Sequence, residues 1–182
     1  MHRLFGLVFA ALAVSAPLAP ARAAQAPLVA EVLSYGEYEP VAVESVEEAP
    51  DTTSGELQIV EVPRLWRATS SVSASPGVLF GIVVEASNLG EGETREVTVT
   101  VNYPEVEGPD GQRVSRDVFS AELGRRPEFF GFCFGEDWAL NPGTWSITVA
   151  EGERLVVHQV FDVTLGPPLT GRPDCDPAQA VS

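Results

Sequence analysis

The side chains in this sequence that could do chemistry are two histidines, two cysteines and 26 carboxylates. His158 is the one histidine that follows the apolar N-terminal segment, so a Ser-His-Asp hydrolase would have to use it as the general base. No Gly-x-Ser-x-Gly elbow supplies a nucleophile for such a triad. His158 also lies on the strand face opposite Phe161 and Val163. We therefore expect a solvent-exposed surface histidine.

The two cysteines are Cys133 and Cys175, and an isolated pair in an oxidising compartment usually forms a disulfide. The run 128–134 alternates, so its even-numbered phenylalanines share the core face and Cys133 points outward. We predict a bridge that holds the Pro/Gly-rich tail, residues 166–182, against the domain. Closing a loop of about 43 residues contributes about 4 kcal/mol in the chain-entropy model. The alternative is a pair of redox-active thiols, which usually have the close Cys-x-x-Cys spacing that is missing here.

The carboxylates do not follow the pattern of a known site. Residues 40–55 are acidic, but they lack the Asp/Asn and Gly alternation of a calcium loop, so we predict a solvated loop. A zinc site lacks ligands if the cysteines are paired, and no Gly-rich phosphate loop precedes a helix. A carboxylate-only, glycosidase-type mechanism stays open as an alternative. We predict no catalytic, metal-binding or cofactor-binding residues and a protein that is not an enzyme.

Residues 1–23 have the features of a signal peptide. A positive start precedes the apolar run 4–14, and Ala21-Arg22-Ala23 offers small residues for cleavage near Ala23. A membrane anchor is the alternative, but spanning a bilayer takes about 20 apolar residues. We therefore expect an exported protein of the periplasm or the medium. The net charge of −15 repels phosphate backbones and anionic lipids, which excludes nucleic acid and peripheral membrane binding as first choices.

The elements that would position these side chains are short β runs separated by turn residues. The run 78–86 is continuously apolar, as in a strand buried on both faces, and Pro63 predicts an edge strand or a crossing between sheets. We predict an all-β, antiparallel two-sheet sandwich of about seven to nine strands over residues 30–165, with a small barrel as second choice. Residues 24–29 should be a flexible start. The predicted strands are 30–39, 57–62, 65–72, 78–86, 97–103, 114–123, 128–134, 145–149 and 155–165.

Several short motifs resemble a known family. They are Tyr35-Gly36-Glu37-Tyr38, Pro76-Gly77-Val78-Leu79-Phe80-Gly81, Tyr103-Pro104 with Pro109-Asp110-Gly111, Gly131-Phe132, Trp138, Pro142-Gly143-Thr144-Trp145 and Phe161. Together they resemble the bacterial family called domain of unknown function 3859 over residues 32–163. The resemblance implies an immunoglobulin- or fibronectin-like sandwich and brings no established activity. The acidic stretch and the Cys-bearing tail depart from that family's pattern.

Two kinds of function are compatible with this sequence. The first is a non-catalytic interaction module of the cell envelope that contacts a protein through a sheet edge near Pro63 or through the Trp138 loop. The second is a glycan-binding module, in which Trp66, Trp138 and Tyr103 would be surface contacts that stack on sugar rings. If these three rings are buried, the glycan hypothesis fails, and if two of them lie coplanar on an open face, it is favoured. A hydrolase is a third hypothesis, and it would need paired buried carboxylates about 5–10 Å apart.

Overall fold

A computed structural model describes residues 25–109, 111–135, 137–167 and 175. The predicted signal peptide and most of the tail lie outside these residues. The described chain forms eleven β-strands and one short 3₁₀ helix, Asp137–Ala139. The strands are β1 (Ala30–Tyr38), β2 (Val43–Glu48), β3 (Glu56–Val60), β4 (Leu65–Ala68), β5 (Ser71–Ala74), β6 (Leu79–Ala86), β7 (Thr94–Glu107), β8 (Arg113–Gly124), β9 (Glu128–Cys133), β10 (Gly143–Glu151) and β11 (Arg154–Leu165).

Nine of these strands form two sheets, and β2 and β3 form a separate hairpin. The four-stranded sheet has the order β4-β1-β6-β9, and the five-stranded sheet has the order β5-β11-β10-β7-β8. All neighbours are antiparallel except β5, which runs parallel to β11. The predicted all-β sandwich is therefore confirmed. The strand count exceeds the prediction because the acidic stretch contributes to a hairpin and the run 65–72 divides into two strands.

The core lies between the two sheets and is centred on the Phe80 ring. Phe80 lies 5.1–5.6 Å, between ring centroids, from the rings of Phe134, Trp145 and Phe161. Trp145 is 1% exposed, and its indole N–H donates to the carbonyl of Asn141 at 3.0 Å. The predicted core position of Trp145 is confirmed. Truncating a buried aromatic of this size costs about 3–5 kcal/mol, so this cluster contributes strongly to holding the sheets together.

The chain passes from one sheet to the other between β4 and β5, at residues 69 and 70. β4 is an edge strand of the four-stranded sheet, and β5 is an edge strand of the five-stranded sheet. The amide of Asp162 donates to the carbonyl of Ser70 at 2.7 Å, which fixes the crossing segment to β11. Of the two alternatives predicted from Pro63, the edge strand follows the proline directly, and the crossing between sheets comes only after that strand.

The acidic stretch is not the solvated loop expected for residues 40–55. It forms β2 and the turn that joins β2 to β3, because branched side chains such as Val43 and Ile59 favour the extended pairing. The turn closes when the Ala49 amide donates to the Gly55 carbonyl at 2.9 Å. Gly55 has a φ of +76°, a left-handed conformation that glycine adopts without a Cβ penalty.

The segment 24–29 before β1 was expected to be flexible, but its described end is tethered at Leu28. Leu28 is fully buried in the core, and its amide donates to a carboxylate oxygen of Glu151 at 3.0 Å. Arg154 donates to the Leu28 carbonyl and to the same carboxylate. The hydrogen bond from Arg154 is the main cause that lowers the pKa of Glu151. Among the residues that the structure describes, no helix is long and apolar enough to cross a membrane.

Candidate functional site

A cleft of about 930 Å³ opens at the edge of the sandwich where β8 and β9 end their respective sheets. The hairpin formed by β2 and β3 spans this opening, so the cleft has the two edge strands on one side and β3 on the other. This volume lies near the upper end of the range for small-molecule and cofactor sites, about 300–1,000 Å³. The cleft is therefore the candidate functional site.

The tip of the hairpin is fastened to β8 by the buried carboxylate of Asp117. One oxygen of Asp117 accepts hydrogen bonds from the Thr53 amide at 2.7 Å, the Thr53 hydroxyl at 2.7 Å and the Tyr103 hydroxyl at 2.8 Å. The amide of Val118 also donates to the carbonyl of Asp51 at 3.0 Å. We call the Asp117, Thr53 and Tyr103 group the latch.

The base of the hairpin is fastened separately, at the end of β1. The Glu39 amide donates to the Arg64 carbonyl at 3.0 Å, and the two side chains form an ion pair. Pro63 is buried beside this contact. Because base and tip are both held, the middle of the hairpin arches over the edge of the sandwich. The cleft is the space under this arch.

The β9 wall of the cleft is aromatic on both faces of the strand. Phe130 and Phe132 face the core side, while Phe129 lies on the outer face and meets the Tyr38 ring edge-on at 4.9 Å. The Phe129 ring covers Gly131 so closely that a Cβ on this glycine would lie 2.2 Å from the ring. Glycine at this position therefore allows the large ring to lie flat on the sheet.

The backbone edge of β9 faces the cleft. Within the described residues, β9 pairs only with β6 and β3 pairs only with β2. The Phe134 amide donates to the Val78 carbonyl at 3.0 Å, which shows that the backbone groups of Phe134 point toward β6. In an antiparallel pair every second residue points the same way, so Phe130 and Phe132 also direct their backbone groups toward β6. Phe129 and Gly131 then direct their amides and carbonyls into the cleft.

The lining of the cleft carries six carboxylates and, over the described ranges, no basic side chain. Glu96 and Glu122 are directly opposed in the β7–β8 pair, an arrangement of like charges that destabilises a sheet by itself. Burial raises the pKa of Glu128, and the charge of nearby Arg126 opposes that effect in part. The cleft therefore combines an aromatic wall with a negative potential.

A disulfide and an indole ring border the cleft at the end of β9. Cys133 and Cys175 are bonded, with their Cα atoms 5.9 Å apart, as the sequence predicted. Cys175 lines the cleft, which places this residue of the tail at its border. Trp138 is half-buried, lines the cleft and meets the Phe132 ring edge-on at 6.5 Å.

The three aromatic residues predicted as surface contacts are not brought together. Tyr103 is 5% exposed because its ring packs on Trp145 and its hydroxyl belongs to the latch, so the predicted surface role is wrong for this residue. Trp66 is 52% exposed on β4, where the Arg67 guanidinium lies 5.3 Å from its ring. β4 and β9 are opposite edges of the same sheet, so Trp66 and Trp138 form no shared platform.

The buried carboxylates do not form the pair that a hydrolase would need. Of the described acids, Glu37 and Asp117 are buried. They lie in different sheets, and each has its own partner: Glu37 pairs with Arg67, and Asp117 belongs to the latch. His158 is exposed on β11, as predicted. No group of three or more His, Cys, Asp or Glu side chains in the described segments is arranged to hold a metal ion.

Sequence reasoning identified the phenylalanine-rich strand but treated it only as core. Phe119 and most of β3 fall within the predicted strands 114–123 and 57–62, but their place in the lining of the cleft was missed. One signal was available, because the segment 129–133 contains no charged residue, whereas exposed edge strands usually carry charges. β9 can line a cleft because it lies at a sheet edge, and a strand's position in its sheet depends on topology, which the local sequence does not show.

Two facing sheets, antiparallel except at the β5–β11 pair, define an immunoglobulin-like β-sandwich. The chain is similar to an immunoglobulin-like protein from Pseudomonas aeruginosa, known from a crystal structure, with a TM-score of 0.57 and 26% sequence identity. The match covers 78% of this chain and 99% of that one. The family model for domain of unknown function 3859 (DUF3859) matches residues 27–163, so the chain belongs to this family. No curated protein matches it.

Proposed function

We propose that this protein is an exported, non-catalytic interaction module of the cell envelope that binds part of a partner protein in the cleft under the arch. The observation that carries the proposal is the outer edge of β9, which pairs with no other described strand and opens onto a cleft with an aromatic wall. Sheet edges of this kind bind partners through backbone hydrogen bonds, and pockets beside them supply specificity.

Export is part of the proposal and has two supports. The first is the leader-like sequence of residues 1–23. The second is the disulfide between Cys133 and Cys175, because such bonds persist in the periplasm and outside the cell and are rare in the reducing cytoplasm. A secreted location would serve the same mechanism.

Site-specific photocrosslinking tests the binding site. A photoreactive amino acid replaces Ser120, an exposed residue of β8 that lines the cleft, and in a matched variant it replaces Val160, an exposed residue of β11 in the interior of the same sheet. We expect a discrete protein adduct from position 120 in intact cells and none from position 160. Equal adducts from both positions, or none from position 120, would refute the proposal.

A further inference from the structure

We infer that the cleft is a slot for one extended segment of a partner protein, which adds as a strand to β9 and carries apolar side chains flanked by Lys or Arg. This inference rests on the proposed function and names the chemistry of the partner. Its first support is that all six residues of β9 and all five residues of β3 line the cleft. Strands line a cavity at consecutive positions when they face it edge-on, because alternate side chains point to opposite faces.

The backbone of β9 offers what an added strand requires. Phe129 and Gly131 present two amides and two carbonyls to the cleft, spaced as in an antiparallel or parallel ladder. An added strand would extend the order β4-β1-β6-β9 by one position. The far side of the added strand would then face β3, at the edge of β3 that is not paired with β2.

The side chains of the slot fit an apolar segment. A strand beside β9 directs alternate side chains to opposite faces. One set would meet Phe119, Phe130 and Phe132, and the other set would meet Phe129 and Leu79, all of which line the cleft. Apolar residues at successive positions would therefore be buried on both faces.

The charges of the slot select the flanking residues. The six lining carboxylates have no basic neighbour among the described lining residues. Glu96 and Glu122, which both line the slot, are opposed like charges, and the lining residue Glu56 is opposed to Glu48, which lies beside the slot and does not line it. A cationic side chain near either pair would relieve a repulsion already present in the free protein, whereas an acidic segment would add to it.

The first test selects displayed random ten-residue peptides on the full chain. We expect enrichment of apolar peptides with Lys or Arg near their ends. Enrichment of acidic or Pro-rich peptides, or no enrichment, would overturn the inference. If photocrosslinking at Ser120 still captures a partner in that case, the proposed function stands and only the strand-addition mechanism fails.

The second test uses the best enriched peptide and a copy that is N-methylated at alternate backbone positions. We expect N-methylation in one of the two alternate registers to weaken binding at least about tenfold, because it removes donors from the added ladder. Hydrogen exchange at the amides of Phe129 and Gly131 should slow when the unmodified peptide binds. Equal affinity for both methylated registers and the parent peptide would refute strand addition.

The third test asks whether the acidic residues of the slot attract the peptide and whether another segment of this protein occupies the slot instead. Glu122→Lys should weaken the basic peptide about tenfold, while the exposed turn variant Glu153→Lys should leave affinity unchanged. A dimer that the peptide dissociates would assign the slot to a second copy of the chain and overturn the inference. A chain ending at Cys175 tests the last seven residues: faster exchange at β9 in that variant, without peptide, would assign the slot to them and also overturn it.

Discussion

Replacing Asp117 by alanine should release the tip of the hairpin and destabilise the protein. The carboxylate is 8% exposed and accepts three hydrogen bonds, at 2.7, 2.7 and 2.8 Å. A hydrogen bond to a charged group contributes about 1.5–3 kcal/mol. The sum over the three hydrogen bonds overstates the loss, because Thr53 is half-exposed and water can replace the Asp117 carboxylate as the acceptor for its amide and hydroxyl. The buried Tyr103 hydroxyl keeps only its contact with Thr53. We expect a loss of about 2–4 kcal/mol.

Urea unfolding followed by tryptophan fluorescence measures this loss, and hydrogen exchange locates it. The amides of residues 49–60 should exchange faster in Asp117→Ala, while those of β10 should change less. Asp162→Ala is the matched control, since Asp162 is exposed on β11 and its side chain makes no hydrogen bond or ion pair in the described residues. The control should stay within about 0.5 kcal/mol of the unmodified protein. An Asp117→Ala value inside that same range would refute the latch.

The remaining predictions concern titration, the disulfide and the glycine under Phe129. Burial raises the pKa of Tyr103, so its neutral form stabilises the fold up to about pH 10, and this contribution is lost as the pH rises further. Stability curves from pH 8 to 11.5 should fall less steeply for Tyr103→Phe. Reduction of the disulfide with dithiothreitol should lower the unfolding free energy by at most about 4 kcal/mol. That value is an upper limit because the bond also restricts the segment 166–175 in the folded protein, so reduction gives entropy to the folded state as well as to the unfolded chain. Gly131→Ala would place a Cβ 2.4 Å from the Phe80 carbonyl oxygen and should cost about 3 kcal/mol or more in thermal or urea unfolding. The open turn variant Gly152→Ala should cost about 1 kcal/mol.

Alternation in the sequence was enough to predict most strands of the sandwich. β6 reads as a continuous apolar run because Tyr38 and Phe129 also cover its outer face, and β10 alternates around Trp145 because one of its faces meets the core. The disulfide was also predictable, since the outward direction of Cys133 follows from the same alternation. These features depend on local pattern, which the sequence states directly.

The candidate site depends on contacts between distant segments, and local pattern does not record them. Asp117 and Thr53 are 64 residues apart in sequence, and neither shows by its neighbours that it will meet the other. The error at Tyr103 has a different cause, because alternation with Val97, Val99 and Val101 already indicates the core face of β7, and the surface hypothesis did not use it. The first strand of the hairpin, β2, was missed because its acidic residues obscured Val43 and Val46, whereas most of β3 lies within the predicted strand 57–62.

The four sheet edges of the sandwich differ in how they avoid pairing with other chains, and this difference supports the proposed role of β9. β4 and β5 are short edges of four residues each, and β8 carries charged side chains along its length. Short or charged edges resist unwanted pairing. β9 has neither protection from residue 129 to residue 133, where the sequence is Phe-Phe-Gly-Phe-Cys. Instead, the arch stands over this edge and leaves a cleft of about 930 Å³ beneath it. An apolar edge that is shielded from open solution and pairs with no other described strand is what a protein needs if it is to accept one selected strand and exclude others.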